Sequence, residues 1–221
     1  MHSDLYRTYF NWIFNTLFFI PSLMTKKFFE TMHSLLLKIK KCKECIVHLP
    51  HGVNPIISAS EKSKIIIIGQ APGRIVHTTN IPWNDKSGDN LRSWLGIDKE
   101  TFYDAEKIAL VPMGFCYPGK GKSGDLPPRP ECAPLWHSKL FAMMKKAKLV
   151  LLVGQYAQDY YLDEKAKSTL TETVFHYKKY LPEYFPLPHP SPRNNIWQAK
   201  NEWFAKKVLP ELKLKVKTIL K

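Results

Sequence analysis

The chain predicts an α/β fold, with a four-stranded parallel sheet covered by helices on both faces. Three observations carry that expectation. The runs Lys64–Ile68 (KIIII), Lys107–Val111 and Lys148–Val153 (KLVLLV) are almost wholly aliphatic, as strands buried on both sides are. Helical segments separate these runs, and strands alternating with helices imply parallel neighbours joined by crossovers. Two strands lead at once into loops rich in Gly, Pro or His, and open α/β sheets bind ligands beyond the carboxyl ends of their strands.

Taken in order, Tyr9–Met24 (YFNWIFNTLFFIPSLM) is apolar, but Asn11 and Asn15 interrupt it and Pro21 ends it. It is too broken to span a bilayer, and it lacks the basic start and small-residue cleavage site of a signal peptide. It reads as an appended helix, or as an upstream extension of a chain starting at Met24 or Met32. Residues 26–41 form an expected amphipathic helix on Phe28, Phe29, Met32, Leu35, Leu36, Leu37 and Ile39. This divides the chain into a helical extension, residues 1–40, and a main domain, residues 41–221. A connector rich in Cys, His, Pro and Gly runs from Cys42 to Gly52. Asp89–Leu95, Glu131–Lys146 and Gln155–Leu162 are expected helices, and Tyr184–Leu187 is the last strand. Gly114–Pro134 is rich in Gly and Pro and is expected to be mostly loop. From Asn195 onward the chain reads as a helix that Pro210 bends or breaks.

The 221 residues suffice for one sizeable domain plus an added segment. Lys and Arg number 33 against 19 Asp and Glu, a formal charge of +14. Such an excess favours a polyanionic partner, because neutralising phosphates releases condensed counterions. An anionic membrane surface, or a merely soluble basic protein, is the bland alternative. Four cysteines do not make a secreted disulfide scaffold, so a cytoplasmic location is expected. No internal repeat or low-complexity tract is present.

Three motifs remain. Gly69-Gln70-Ala71-Pro72-Gly73 follows the first strand directly, where glycine allows close approach of a ligand and proline stiffens the turn. His189-Pro190-Ser191-Pro192-Arg193 follows the last strand and holds an imidazole on a stiffened loop. Each alone is a weak signal, since Gly/Pro turns are common and a lone histidine is more often structural. Cys42 and Cys45 form a C-x-x-C, and Cys116 and Cys132 follow with no cysteine left over. Four thiolates suit an iron–sulfur cluster or zinc; four buried, reduced thiols are the plain alternative.

Together the GQAPG and HPSP segments resemble the two active-site motifs of the uracil-DNA glycosylase superfamily. The segment Ile81–Gly88 (IPWNDKSG) and the cysteine pattern are similar to its iron–sulfur branch. The resemblance covers roughly Lys41 to Asn194. It implies a three-layer α/β/α fold and a monomeric DNA repair hydrolase that cleaves the N-glycosidic bond of uracil, or a related deaminated base, in DNA. It also implies a [4Fe–4S] cluster on Cys42, Cys45, Cys116 and Cys132. His189 matches the histidine that donates a hydrogen bond to the departing base, and Trp83 the ring, usually phenylalanine, that stacks on it. Ser191 and the Gly69–Gly73 turn, with the amides of Ala71–Arg74, match contacts to base or phosphate. Arg193 sits where relatives push a side chain into the duplex gap. Two positions depart from the pattern. Gln70 replaces a glutamate and cannot take a proton from water, which leaves Asp85 or Asp125 as substitutes. Pro112 replaces the asparagine that reads uracil's pairing edge. These departures keep open a binding module without turnover; a hydrolase of free nucleosides is disfavoured by the charge.

Overall fold

The computed structural model describes residues 30–221; the segment Tyr9–Met24 and residues Phe28 and Phe29 lie outside the described residues. The first helix, α1 (Met32–Lys40), opens on a capping box, in which the Thr31 hydroxyl accepts from the Ser34 amide and the Ser34 hydroxyl from the Thr31 amide. Its Leu35 and Ile39 are fully buried in the core. The compact unit therefore runs from Thr31 to Lys221, ahead of the boundary expected between residues 40 and 41.

Four parallel strands, β1 (Ile65–Ile68), β2 (Ile108–Leu110), β3 (Leu149–Val153) and β4 (Tyr184–Leu187), form one sheet in the order β2-β1-β3-β4. Ile65–Ile67 lie opposite Ile108–Leu110, Ile65–Ile68 opposite Leu149–Leu152, and Val150–Val153 opposite Tyr184–Leu187. Alternate residues of β1 face different layers. Ile65 and Ile67 pack with Leu91, Trp94, Phe204 and Leu212, whereas Ile66 and Ile68 pack with Leu35, Ile39, Phe115 and Leu140. A fully buried aliphatic side chain contributes roughly 1.5–3 kcal/mol relative to an exposed one, so β1 ties both layers to the sheet. The architecture is three-layer α/β/α, as expected.

The other helices are α2 (Arg74–Thr79), α3 (Lys86–Leu95), α4 (Lys99–Tyr103), α5 (Cys132–Met143), α6 (Gln155–Leu162), α7 (Leu170–Phe175), α8 (Asn195–Lys200) and α9 (Leu209–Leu220). At the C-terminus the expected break at Pro210 is displaced. The chain leaves helical geometry at Asn201, and a π-helical turn, Phe204–Val208, leads into α9. Proline offers no N–H to the preceding turn, and a widened turn absorbs that missing bond. Phe204, Val208, Leu212 and Val216 stay buried along one stripe across it. No helix among the described residues is long and apolar enough to cross a membrane.

Successive strands lie on opposite sides of β1, because the chain moves out to β2 and then crosses to β3 and β4. The crevice at such a reversal is where open sheets take ligands.

Candidate active site

A cavity of about 840 Å³ opens beyond the carboxyl ends of β1, β2 and β4. The turn after β1 is held by the segment after β2: Met113 and Gly114 donate their amides to the carbonyls of Gly69 and Gln70, at 2.8 and 3.0 Å. Gly69 is required here, since a Cβ would lie 2.6 Å from the Trp83 indole. Trp83 itself has left-handed backbone, with φ +56°. A non-glycine residue there costs on the order of 1–3 kcal/mol and persists only where its surroundings enforce it. They do. A Cβ on Gly88 would sit 1.8 Å from the Trp83 carbonyl, so only glycine lets α3 approach this closely. The buried Arg92 guanidinium donates to that carbonyl at 3.4 Å and to the Tyr103 hydroxyl at 3.3 Å, and Tyr103 donates in turn to Pro82 O at 3.0 Å. Asp89 pairs with Arg92 at 2.7 Å, and the guanidinium lies over the Phe102 ring.

His189 faces Trp83 with ring centroids 5.9 Å apart. Its Nδ1 accepts the Ser191 amide at 3.2 Å, so in the neutral ring the proton sits on Nε2. Burial holds its pKa below the ordinary histidine value, only partly countered by the charges of Asp85 and Asp125, and the ring is neutral at neutral pH. Two asparagines fix the loop: Asn194 Nδ2 donates to His189 O at 2.7 Å, and Asn90 Nδ2 to Pro190 O at 2.8 Å. Gly154, at the end of β3, has φ +89°, a backbone conformation that favours glycine, and lies against the imidazole. The result is an N–H donor held at a fixed point on the cavity wall.

The structure brings every non-cysteine residue singled out from the sequence to this one cavity: Gly69, Gln70, Ala71, Pro72, Gly73, Trp83, Asp85, His189, Ser191 and Arg193. Their roles differ. Asp85 Oδ1 accepts the Gly88 amide at 2.9 Å and caps α3. The Gln70 amide donates to Leu126 O at 3.4 Å, leaving its carbonyl oxygen as acceptor. Arg193 Nη1 donates to Ser123 O at 3.1 Å, tying the loop after β4 to the Gly/Pro-rich loop after β2. Pro112 lines the cavity too; it has no side-chain hydrogen bond to offer, and its carbonyl accepts His137 Nε2 at 3.0 Å. Sequence reasoning missed Tyr117 and His51, whose rings stack 5.2 Å apart on another part of the wall. Nothing in their local sequence marks them. Arg74 and Lys120 add positive charge to the lining, a trace of the basic composition.

The four cysteines converge elsewhere. Cys42 and Cys45 follow α1, Cys116 lies in the loop after β2, and Cys132 begins α5. All four are free and line one small pocket with Leu49, Val53, Phe115 and Trp136 among others. The Phe115 amide donates to Cys132 Sγ at 3.4 Å, and the buried Trp136 Nε1 has no partner. Burial raises the thiols of Cys45, Cys116 and Cys132, Cys116 to about 11 and Cys132 to about 12. A bound cation would favour their thiolate forms. Among the described residues, no three His, Cys, Asp or Glu side chains stand close enough to hold one metal ion. By donor chemistry the set fits a group held by four thiolates; as free thiols they stand wider apart than one ion needs.

Fold and cavity together define an α/β protein with a cavity at the strand ends, walled in part by a fixed indole ring and a neutral histidine. A family model, the uracil DNA glycosylase superfamily, matches residues 57–213. The chain belongs to that superfamily. The match begins beyond Cys42 and Cys45 and reaches the superfamily rather than one of its branches.

Proposed function

We propose that the protein is a DNA glycosylase that hydrolyses the N-glycosidic bond of uracil or a related deaminated base, acting on DNA inside the cell as a monomer. One observation carries this reading: the Nε2–H of a neutral, rigidly held His189 is presented beside the Trp83 ring in a cavity at the strand ends. Chemistry on a base requires the nucleotide out of the stack. Trp83 stacks on the extruded base, contributing roughly 1–3 kcal/mol with little regard to base identity. As the glycosidic bond breaks, negative charge gathers on the base, and the Nε2–H of His189 stabilises it at the carbonyl oxygen. Ser191 and the Gly69–Gly73 turn contact base or phosphate, and Arg193 contacts the backbone or fills the gap. The formal charge of +14 supplies the attraction to DNA.

In the same reading Cys42, Cys45, Cys116 and Cys132 hold a [4Fe–4S] cluster of the iron–sulfur branch. It supplies a cross-link between the segment after α1, the loop after β2 and α5, and takes no part in hydrolysis. Anaerobically purified protein is expected to show the visible iron–sulfur absorption, lost on Cys116→Ser. Colourless protein carrying stoichiometric zinc would overturn the cluster without touching the glycosylase reading.

The catalytic reading is tested by incubating the protein with oligonucleotides carrying uracil, hypoxanthine or xanthine, and measuring both free base and retained complex. Released base, sharply reduced by His189→Ala, is the expected outcome. A second reading, a module that binds damaged bases without turnover, is favoured by Gln70, which cannot take a proton, and by Pro112, whose side chain offers no hydrogen bond. It predicts a salt-sensitive complex and no free base.

A further inference from the structure

We propose that Asp125 is the carboxylate that activates the attacking water, substituting for the acid that Gln70 lacks; this rests on the glycosylase reading above. Two carboxylates line the cavity, Asp85 and Asp125. Asp85 caps the first turn of α3, its Oδ1 accepting the Gly88 amide at 2.9 Å. Asp125 has only a long contact, Oδ1 accepting from the Tyr117 hydroxyl at 3.4 Å. Its Oδ2 lies against the GQAPG turn, 3.3 Å from the place a Cβ on Gly73 would occupy. A side chain at residue 73 would crowd that oxygen; glycine leaves it open.

The loop carrying Asp125 is fastened on both sides of it to the two motifs that define the site. Gln70 Nε2 donates to Leu126 O at 3.4 Å, and Arg193 Nη1 donates to Ser123 O at 3.1 Å. Within the loop, Leu126 N donates to Gly119 O at 2.8 Å, and Lys120 bridges to Asp125 in antiparallel fashion. Gln70, which cannot accept a proton, thus anchors a loop that brings in a group that can. The amide turned toward Leu126 leaves Gln70 Oε1 free to accept the second hydrogen of the same water. Tyr117 is a positioning residue, steadied by its stack with His51.

The step balances. As the water oxygen bonds to C1′ of the deoxyribose, one of its protons passes to the Asp125 carboxylate. The electron pair of the C1′–N bond leaves with the base, whose carbonyl oxygen accepts Nε2–H from His189. The base anion then takes a proton from solvent, and an abasic deoxyribose remains.

The experiment is single-turnover release of uracil from a single-stranded oligonucleotide, comparing wild type with Asp125→Ala, Asp85→Ala, and Asp125→Ala carrying Gln70→Glu. Removal of a general base costs about 10²–10⁴-fold, and that loss is expected for Asp125→Ala with affinity for an uncleavable 2′-fluorinated uracil strand kept. Added formate is expected to restore rate to Asp125→Ala and not to Asp85→Ala. Gln70→Glu is expected to restore it in the double variant by placing a carboxylate on the adjoining turn. An Asp125→Ala rate within about threefold of wild type would overturn the assignment, as would formate rescue of Asp85→Ala alone. Wild type that releases base while Asp125→Ala does so equally well overturns only this proposal. Wild type that releases none overturns the glycosylase reading with it.

Discussion

His189 and His137 are both held below the ordinary histidine pKa by burial, His137 to about 4. The two differ in what their nitrogens meet. His137, on α5, is 2% exposed and satisfied on both sides: Nδ1 meets the Tyr161 hydroxyl at 2.5 Å, and Nε2 the Pro112 carbonyl at 3.0 Å. Since a carbonyl only accepts, Nε2 donates, and Nδ1 accepts from Tyr161. Its ring stacks on Phe115 and Tyr161. His189 has one protein partner, the Ser191 amide at Nδ1, and keeps part of its surface on the cavity. A depressed proton affinity is therefore common to a structural histidine and a candidate catalytic one. What separates them is an unmatched donor facing an open space.

The sharpest way to break that comparison is to remove each ring. His189→Ala is expected to lower single-turnover rate by about 10²–10³-fold, the effect of one donor aimed at developing charge, with the melting temperature nearly unchanged. His137 is expected to act on stability. Its folded pKa of about 4 lies below the unfolded value of about 6.5, so the unfolded chain binds the proton first. Its contribution is fully present above pH ~6.5 and is lost as pH falls from there through ~4, by roughly 3 kcal/mol in all. Urea midpoints for wild type and His137→Asn across that window are expected to diverge, the variant showing the flatter dependence. Equal slopes would show that the proton binds elsewhere. Tyr161→Phe leaves Nδ1 of His137 without its donor, and an unpaired buried acceptor costs about 1–3 kcal/mol, again with little change in rate.

The two histidines also mark what a sequence discloses. His189 was legible because prolines bracket it and a strand precedes it; chemistry and local stiffness lie side by side in the chain. His137 looks like any residue of α5, and its partners Pro112 and Tyr161 come from other elements. The aliphatic uniformity of Ile65–Ile68 and Leu149–Val153 showed that these strands are buried on two faces. It held no information about neighbours, so the placement of β1 between β2 and β3 emerged only from the structure. Helices α2, α4 and α7 have five or six residues, too few for a 3.6-residue period to show. Pro210 was read by its usual effect on a helix, which the π-turn before it displaces. Tyr117 and His51 reach the cavity through folding of the loop after β2 and the connector after α1, and long-range placement of this kind leaves no local pattern.

The smallest expected effect tests whether the His189 donor needs its loop held still. Asn90 reaches from α3 to Pro190 O at 2.8 Å, beside the Asn194 bond to His189 O. Asn90→Ala removes a neutral hydrogen bond, a net loss of about 0.5–1.5 kcal/mol. Alanine also favours the helix by up to ~0.7 kcal/mol, so the two effects offset and the melting temperature is expected to move little. Rate reads the tether separately, because His189 must meet the base oxygen at the moment charge develops. A drop of about threefold to tenfold in single-turnover release is expected, equivalent to ~0.7–1.4 kcal/mol in the barrier. Asn90→Asp cannot donate and sets a carboxylate against the Pro190 carbonyl, so it is expected to be slower still. Should both variants release base at the wild-type rate, Asn194 alone positions His189, and α3 contributes to the site only through Asp85 and the packing of Trp83.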